Sequence, residues 1–224
     1  MKRILKSFAL LVILLLSLTS CNKTLNKKDE AKLKELINNT NKINYSCNYL
    51  IKESNESDIV RYKAYKTDSN YELTIIIDNN NINYSYDINE KNLYKDNQLI
   101  IKKDFNTIDD FSLYVFNNNY NNSIIASYTD FLPFIKEAFD SSTEIKKGRS
   151  LNNASMKDSY YYSIDFSFEL LMNSLCYEKF KAFTDNSTFS NEDTYKMSIV
   201  ASLKNNILYP IIEISKNQEI LFYL

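Results

Sequence analysis

The sequence predicts an α+β fold in which helices cover one face of a large antiparallel sheet. Two observations predict it: long segments alternate apolar and polar residues with a period of two, and only a few segments have helical spacing. Short connections join the alternating segments, so sequential neighbours should pair as antiparallel strands. Alternation implies one buried and one solvated face, and the helices are available to cover the buried face.

The first half of the chain contains one helix and then a series of strands. A helix is predicted over residues 29–39, where Leu33, Leu36 and Ile37 form one apolar stripe. Strands are expected over residues 47–66, broken into two near residues 53–57, over residues 71–77 and 82–88, and over residues 94–102. The turn at residues 78–81 is rich in Asn, which tolerates positive φ, so residues 71–88 should form a hairpin.

Two helices are predicted next, followed by more strands. Helical spacing is present in two apolar sets: Phe111, Tyr114 and Val115, and then Phe131, Ile135, Ala138 and Phe139. Asp130 is the expected N-cap of the second helix, and Pro133 is expected in its first turn. Residues 170–182 are consistent with either a helix or a strand, and strands return over residues 195–203, 207–215 and 219–224.

The longest alternation, over residues 160–170, provides a candidate binding surface. One face carries these apolar side chains: Tyr160, Tyr162, Ile164, Phe166 and Phe168. This face could line an apolar cavity for a lipid chain. The alternative is an ordinary core strand packed under helices, because alternating aromatic residues in a half-buried sheet need no ligand.

The first 21 residues have the layout of a bacterial secretory leader. Basic residues at positions 2, 3 and 6 precede an apolar run over residues 8–18, which is shorter than the roughly 20 residues that span a bilayer. The run ends in Leu18, Thr19, Ser20 and Cys21. This tetrapeptide resembles the lipobox of bacterial lipoproteins, and an ordinary cleaved signal is the alternative.

The lipobox resemblance implies a division of the chain and a cellular location. Leu18, Thr19 and Ser20 would be recognised by the signal peptidase, and Cys21 would receive a diacylglycerol on its sulfur. Residues 1–20 would then be a signal peptide, residues 21–27 a lipidated tether, and residues 28–224 a single domain. Two acyl chains hold a protein stably on a membrane, so the domain is expected on the extracytoplasmic face of the cell membrane.

Composition excludes several kinds of function. Removing residues 1–20 leaves 24 basic against 28 acidic residues, a net charge of −4, which argues against a nucleic-acid partner. The chain has no histidine and one glycine, so Ser–His or Cys–His pairs and glycine-rich phosphate loops are excluded. No cofactor, metal or catalytic residue is therefore predicted, and the protein is not expected to be an enzyme.

A few charged or reactive residues keep alternative interpretations. Three carboxylate pairs could serve acid–base chemistry or simply be solvated: Asp109 with Asp110, Glu53 with Glu56, and Asp165 with Glu169. Cys47 and Cys176 are either free thiols or a disulfide. A basic cluster of Lys146, Lys147 and Arg149 could touch phosphate headgroups or lie in a solvated turn.

The order of leader, lipobox, helix, strand meander, helical interlude and closing strands resembles the LolA/LppX superfamily, and within it the GerS-like germination lipoproteins of clostridia. The resemblance also uses two short stretches, residues 83–87 (Asn-Tyr-Ser-Tyr-Asp) and residues 208–210 (Leu-Tyr-Pro). It implies a strongly curved antiparallel sheet, a LolA-like half-barrel, with helices on its concave face. Only Cys21 carries over as a family site residue.

The resemblance implies partners of three kinds. LolA and LppX relatives use the concave face for acyl chains or lipidated proteins. GerS-like members are non-catalytic partners of a cell-wall amidase, an N-acetylmuramoyl-L-alanine amidase, that modifies the spore cortex during germination. They can also form strand-exchanged homodimers. The sequence therefore predicts a binding or accessory lipoprotein, with lipid carriage as the alternative.

Overall fold

The computed structural model describes residues 23–40, 46–53, 59–151, 156–184 and 189–224, and these residues form an α+β fold. The strands are β1 (Lys23–Thr24), β2 (Ser46–Lys52), β3 (Ile59–Lys66), β4 (Asn70–Ile77), β5 (Asn80–Asp87), β6 (Asn92–Lys95), β7 (Gln98–Lys102), β8 (Ile124–Ser127), β9 (Lys146–Leu151), β10 (Ser159–Phe166), β11 (Tyr195–Ser202), β12 (Ile207–Lys216) and β13 (Glu219–Tyr223). The helices are α1 (Lys27–Asn39), α2 (Ile108–Asn119), α3 (Tyr128–Ser141), α4 (Phe168–Met172) and α5 (Tyr177–Ala182).

All strand pairs are antiparallel, and they divide into two sheets. One sheet has six strands in the order β1-β9-β10-β11-β12-β13, and the other has seven in the order β7-β6-β5-β4-β3-β2-β8. The predicted α+β class and antiparallel pairing are confirmed. The prediction of one large sheet is corrected, because the strands of the described residues form two hydrogen-bonded sheets.

Two hairpin turns use Asp and Asn at positive φ. In the predicted hairpin β4–β5, Asp78 and Asn79 have φ of 49° and 62°. Asp96 and Asn97, with φ of 47° and 66°, form a second such turn inside the segment predicted as one strand over residues 94–102. That prediction is wrong: the segment is the hairpin β6–β7, because Asp and Asn reach the left-handed region without a glycine.

Helix α3 begins earlier than predicted. Its N-cap is Ser127, and Asp130 is the third helical residue, whose carboxylate accepts a hydrogen bond from the Ser127 backbone N–H at 2.8 Å. The prediction that Asp130 is the N-cap is therefore wrong, since Asp130 completes a capping box. Pro133 is the sixth residue of the helix and not in its first turn. The Thr129 carbonyl consequently has no partner at the usual position four residues later.

The two sheets meet where β2 and β3 approach β12 and β13. The Asn48 side-chain amide donates to the Pro210 carbonyl at 3.2 Å, and the Arg61 guanidinium donates to the Tyr223 carbonyl at 2.6 Å. Helix α3 contacts β10 and β12 of one sheet and β2 and β8 of the other, while α2 contacts β2, β3 and β4. One hydrophobic core is therefore shared by both sheets and the helices.

The fold begins inside the segment predicted as a tether. Lys23 and Thr24 form β1, which pairs with β9, and the next residue, Leu25, is buried and donates its N–H to the Ile145 carbonyl at 2.8 Å. The predicted tether over residues 21–27 is thus too long. Only Asn22 lies between Cys21, the predicted lipidation point, and the first residue of β1.

Candidate functional site

The predicted lipidation site is Cys21, and its predicted recognition residues are Leu18, Thr19 and Ser20. All four lie outside the described residues. Among the helices that the structure describes, none has the length and apolar composition needed to cross a bilayer.

The structure places four of the five predicted cavity-lining residues on β10. Tyr162 and Ile164 are each 1% exposed, while Tyr160 and Phe166 are half-buried. Phe168 is not on this strand: Ser167 ends the alternation by accepting a hydrogen bond from the Leu170 N–H, which caps helix α4. The predicted strand therefore stops at Phe166, because a side-chain cap starts a helix within a sequence that still alternates.

Aromatic side chains from other elements of the protein cover the Phe166 end of this face. Phe134 of α3 packs edge-on against Phe166, with ring centroids 5.4 Å apart. Phe168 stacks on Tyr195 at the same centroid distance. Burial raises the pKa of Tyr162 to about 12, and the negative charge of Asp29 adds to the shift. The face is thus well packed at Tyr162, Ile164 and Phe166.

Two hollows beside the six-stranded sheet have charged side chains in their linings. One, of about 670 Å³, is lined by Lys196, Glu213 and Ser215 among others. Another, of about 430 Å³, lies between the end of α3 and β10 and is lined by Glu144 and Asp165 together with small and apolar side chains. Charged linings of this kind suit water or polar ligands better than acyl chains.

A partly buried polar cluster ties β2 to the first turns of α2 and α3. Asp109 accepts two hydrogen bonds of 2.5 Å each, one from the Tyr49 hydroxyl and one from the Thr129 hydroxyl. Tyr49 and Cys47 are fully buried on β2. The carboxylate therefore joins three elements that are far apart in sequence, and the carboxylate pair Asp109–Asp110 is divided, since Asp110 caps α2 through Thr107.

Burial controls the protonation of this cluster. It raises the pKa of the Cys47 thiol well above its ordinary value, and the negative charge of Asp109 raises it further. Burial likewise raises the pKa of the Tyr49 hydroxyl, with Cys47 and Asp109 adding to the shift. A thiol reacts as its thiolate, so Cys47 is held in its unreactive form at neutral pH. The cluster is suited to joining elements rather than to nucleophilic chemistry.

The other cysteine and carboxylate candidates form no reactive or metal-binding site among the described residues. Cys176 is a buried free thiol, as is Cys47, so the alternative of a disulfide is not realised. Burial raises the pKa of Cys176 too. Asp165 forms an ion pair with Lys146 at 3.2 Å. Glu56 lies outside the described residues, and within those residues no group of three acidic, Cys or His side chains could hold a metal ion.

The basic cluster is a strand, not the predicted solvated turn. Lys146, Lys147 and Arg149 all belong to β9. The Lys147 ammonium lies 3.6 Å from the centroid of the Tyr160 ring, and the Arg149 guanidinium lies 5.1 Å from that of Tyr161. Sequence reasoning could not place these contacts, because they depend on the register between β9 and β10.

Comparison with known proteins provides no relative from which a function could be transferred. No family model matches the chain, and no curated protein matches it at a significant level.

Proposed function

We propose that this chain is a lipoprotein of the extracytoplasmic membrane face, and that it acts by binding a partner protein without catalytic activity. The observation that carries the proposal is the leader, in which a basic start and a short apolar run end in Leu18-Thr19-Ser20-Cys21. The chemistry of the domain supports it, because the buried thiols Cys47 and Cys176 have raised pKa values and are poor nucleophiles.

The same proposal includes the finer fold, a LolA-like half-barrel with helices against its concave side. Two features support it. The sheets are linked through Asn48 and Pro210, and α3 contacts strands of both sheets, as a helix inside a curved sheet would.

The sharpest form of the proposal is a GerS-like role as the partner of an N-acetylmuramoyl-L-alanine amidase of the spore cortex. Strand β7 supports a role in protein binding. It is the outermost strand of the seven-stranded sheet, all its residues are exposed, and Leu99 and Ile100 are 59% and 47% exposed. An open edge of this kind can accept an extended segment of a partner through backbone hydrogen bonds. Edge-to-edge pairing of two copies would give the homodimer.

Carriage of lipid or lipoprotein acyl chains is the second candidate function. It needs apolar space beneath the sheet, at the face that contains Tyr162 and Ile164. Both residues are buried in the core of the domain itself, and Phe134 closes on Phe166 beside them. This packing favours partner binding over carriage.

A deletion strain and an affinity purification test the proposal. The partner role predicts co-purification of an amidase with the full lipidated chain and altered cortex muropeptides in the deletion strain. Unchanged muropeptides together with normal germination would reject the amidase role. Native mass spectrometry of the same preparation tests carriage, because a carrier would retain a lipid in addition to the one on Cys21.

A further inference from the structure

The start of the fold restricts how far the domain can stand from the membrane. If Cys21 carries the diacylglycerol, only Asn22 separates it from Lys23, the first residue of β1. Two residues of extended chain span at most about 7 Å. The headgroup layer is itself about 5–7 Å thick on each side of a bilayer. Strand β1 and its neighbour β9 therefore lie at the headgroups.

The border of the six-stranded sheet is basic. It consists of Lys23–Thr24 and Lys146–Leu151, the β1–β9 edge. Lys23 lies directly opposite Lys147 in the antiparallel register. Like charges at opposed positions destabilise a strand pair, and an anion placed between them would relieve the repulsion. Within the described residues, no carboxylate forms an ion pair with Lys23, Lys147 or Arg149.

The acidic groups near this edge already have partners. Asp165 pairs with Lys146 at 3.2 Å. Glu144 accepts a hydrogen bond of 2.6 Å from the Thr24 hydroxyl and lies 3.9 Å from the Lys146 ammonium. Both carboxylates are thus directed at Lys146 and Thr24. A third carboxylate, that of Asp29, lies near enough to Tyr162 to raise its pKa, and it accepts a hydrogen bond of 2.8 Å from the Asn26 side-chain amide. The three carboxylates leave Lys23, Lys147 and Arg149 as the cations that can bind an external anion.

Two tyrosines flank this edge, one on each face of the sheet, because Tyr160 and Tyr161 are adjacent on β10. Both rings are half-exposed, and they carry Lys147 and Arg149 over their faces. Tyrosine is enriched at the level of lipid headgroups, where an apolar ring and a polar hydroxyl are both accommodated. The cations are therefore held on fixed rings beside the point where the acyl anchor enters.

We propose that the β1–β9 edge is the membrane-facing surface of the lipidated protein, where Lys23, Lys147 and Arg149 bind the phosphate groups of anionic phospholipids. The proposal rests on the proposed lipidation of Cys21. The lipid anchor supplies attachment, and the basic residues fix which side of the domain faces the bilayer. Each basic residue near an anionic surface contributes about fivefold to the population of that orientation.

Labelling of lysines in the full lipidated chain tests this orientation. The protein is treated with a water-soluble acylating reagent in detergent, in vesicles of phosphatidylcholine with phosphatidylglycerol, and in vesicles of phosphatidylcholine alone. We expect labelling of Lys23 and Lys147 to fall about fivefold or more from detergent to the anionic vesicles, and to recover partly at high salt. Lys95 and Lys102, on the β6–β7 hairpin, are internal references and should not change.

The outcomes separate this proposal from the anchoring on which it rests. Equal labelling in detergent and anionic vesicles, with diacylglycerol present on the Cys21 peptide, would overturn the orientation and leave the anchoring intact. A Cys21 peptide without lipid would overturn both. Equal protection in phosphatidylcholine alone would overturn the assignment of phosphate binding to the basic residues.

Matched variants test the charge contribution, with Lys146 as the reporter in both. The first variant is K23Q/K147Q/R149Q, and the second is K95Q/K102Q/K103Q, which removes the same charge from the β6–β7 hairpin and the residue that follows it. Protection of Lys146 should be lost in the first variant and kept in the second. Protection kept in both would overturn the proposal. If the first variant does not fold, the comparison of the two vesicle compositions with the unsubstituted protein decides the same question.

Discussion

Replacing Asp109 by alanine should destabilise the domain, because this carboxylate joins three elements through hydrogen bonds. It accepts from Tyr49 on β2 and from Thr129 in the first turn of α3, at 2.5 Å in both cases. Asp109 itself lies in the first turn of α2. The substitution leaves the two donors without their shared acceptor.

The expected cost follows from the burial of the two donors. Tyr49 is fully buried, so its hydroxyl cannot turn to solvent, and a hydrogen bond to a charged group contributes about 1.5–3 kcal/mol. Thr129 keeps a second partner, the Ser127 hydroxyl at 2.7 Å, and loses less. The sum is about 2–4 kcal/mol in the free energy of unfolding. For a domain of this size it lowers Tm by about 5–15 °C.

Urea and thermal unfolding of the purified mature chain measure this loss, with Asp110→Ala as the control. Asp110 is exposed and accepts only the Thr107 N–H within its capping box, so its removal should cost about 0.5–1 kcal/mol, the low end of the range for a lost helix cap. In a double-mutant cycle, Tyr49→Phe should cost at least about 1 kcal/mol less in the Asp109→Ala background. An Asp109→Ala protein as stable as Asp110→Ala, or a coupling energy of zero, would refute the reasoning.

Three further predictions concern the anchor, the edge strand and the buried tyrosines. Cys21→Ser should move the protein from the membrane to the soluble fraction while Cys176→Ser stays bound, as fractionation and blotting would show; a membrane-bound Cys21→Ser protein would contradict lipid anchoring. Ile100→Lys on β7 should abolish co-purification of a partner without changing Tm, because a charge on an edge strand blocks pairing, whereas Ile220→Lys on β13 should leave co-purification unchanged. Burial raises the pKa of Tyr162 to about 12 from 10.0, so the folded state holds the phenolic proton more tightly; this contribution to stability is complete below pH 10 and is lost as the pH rises to 12. Tyrosinate absorbance should therefore show a fraction of tyrosines that ionises only with alkaline unfolding, and ionisation of every tyrosine near pH 10 in the folded protein would contradict the assigned burial.

The periodicity of the chain predicts most of the elements, and the exceptions have local causes. The alternation around Tyr162 and the helical stripe of Leu33 and Ile37 correspond to a strand and a helix with those residues buried. A two-residue turn without glycine, at Asp96 and Asn97, has no distinct signal among so many asparagines. Apolar spacing also does not show whether Ser127 or Asp130 is the N-cap of α3, because a capping box uses polar residues at both positions.

The Asp109 cluster could not be predicted, because its members depend on tertiary structure. Tyr49 and Asp109 are 60 residues apart, and Thr129 follows 20 residues later. Sequence reasoning identified Asp109 only as half of a carboxylate pair. The proposed membrane-facing surface is similar: the leader predicts an anchor at Cys21, while only the structure shows that Lys23, two residues later, pairs with Lys147 at the border of a sheet.

The charge pattern connects the anchor to the surface left open for a partner. The predicted mature chain has a net charge of −4, yet the β1–β9 edge presents Lys23, Lys147 and Arg149 without carboxylate partners in the described part of the chain. The rest of the surface is therefore more acidic than the whole, and an anionic bilayer attracts this border while it repels the remainder. Strand β7 is the outermost strand of the other sheet. In the proposed orientation it is not the border held at the lipid, so its unpaired edge stays available to a protein on the extracytoplasmic side.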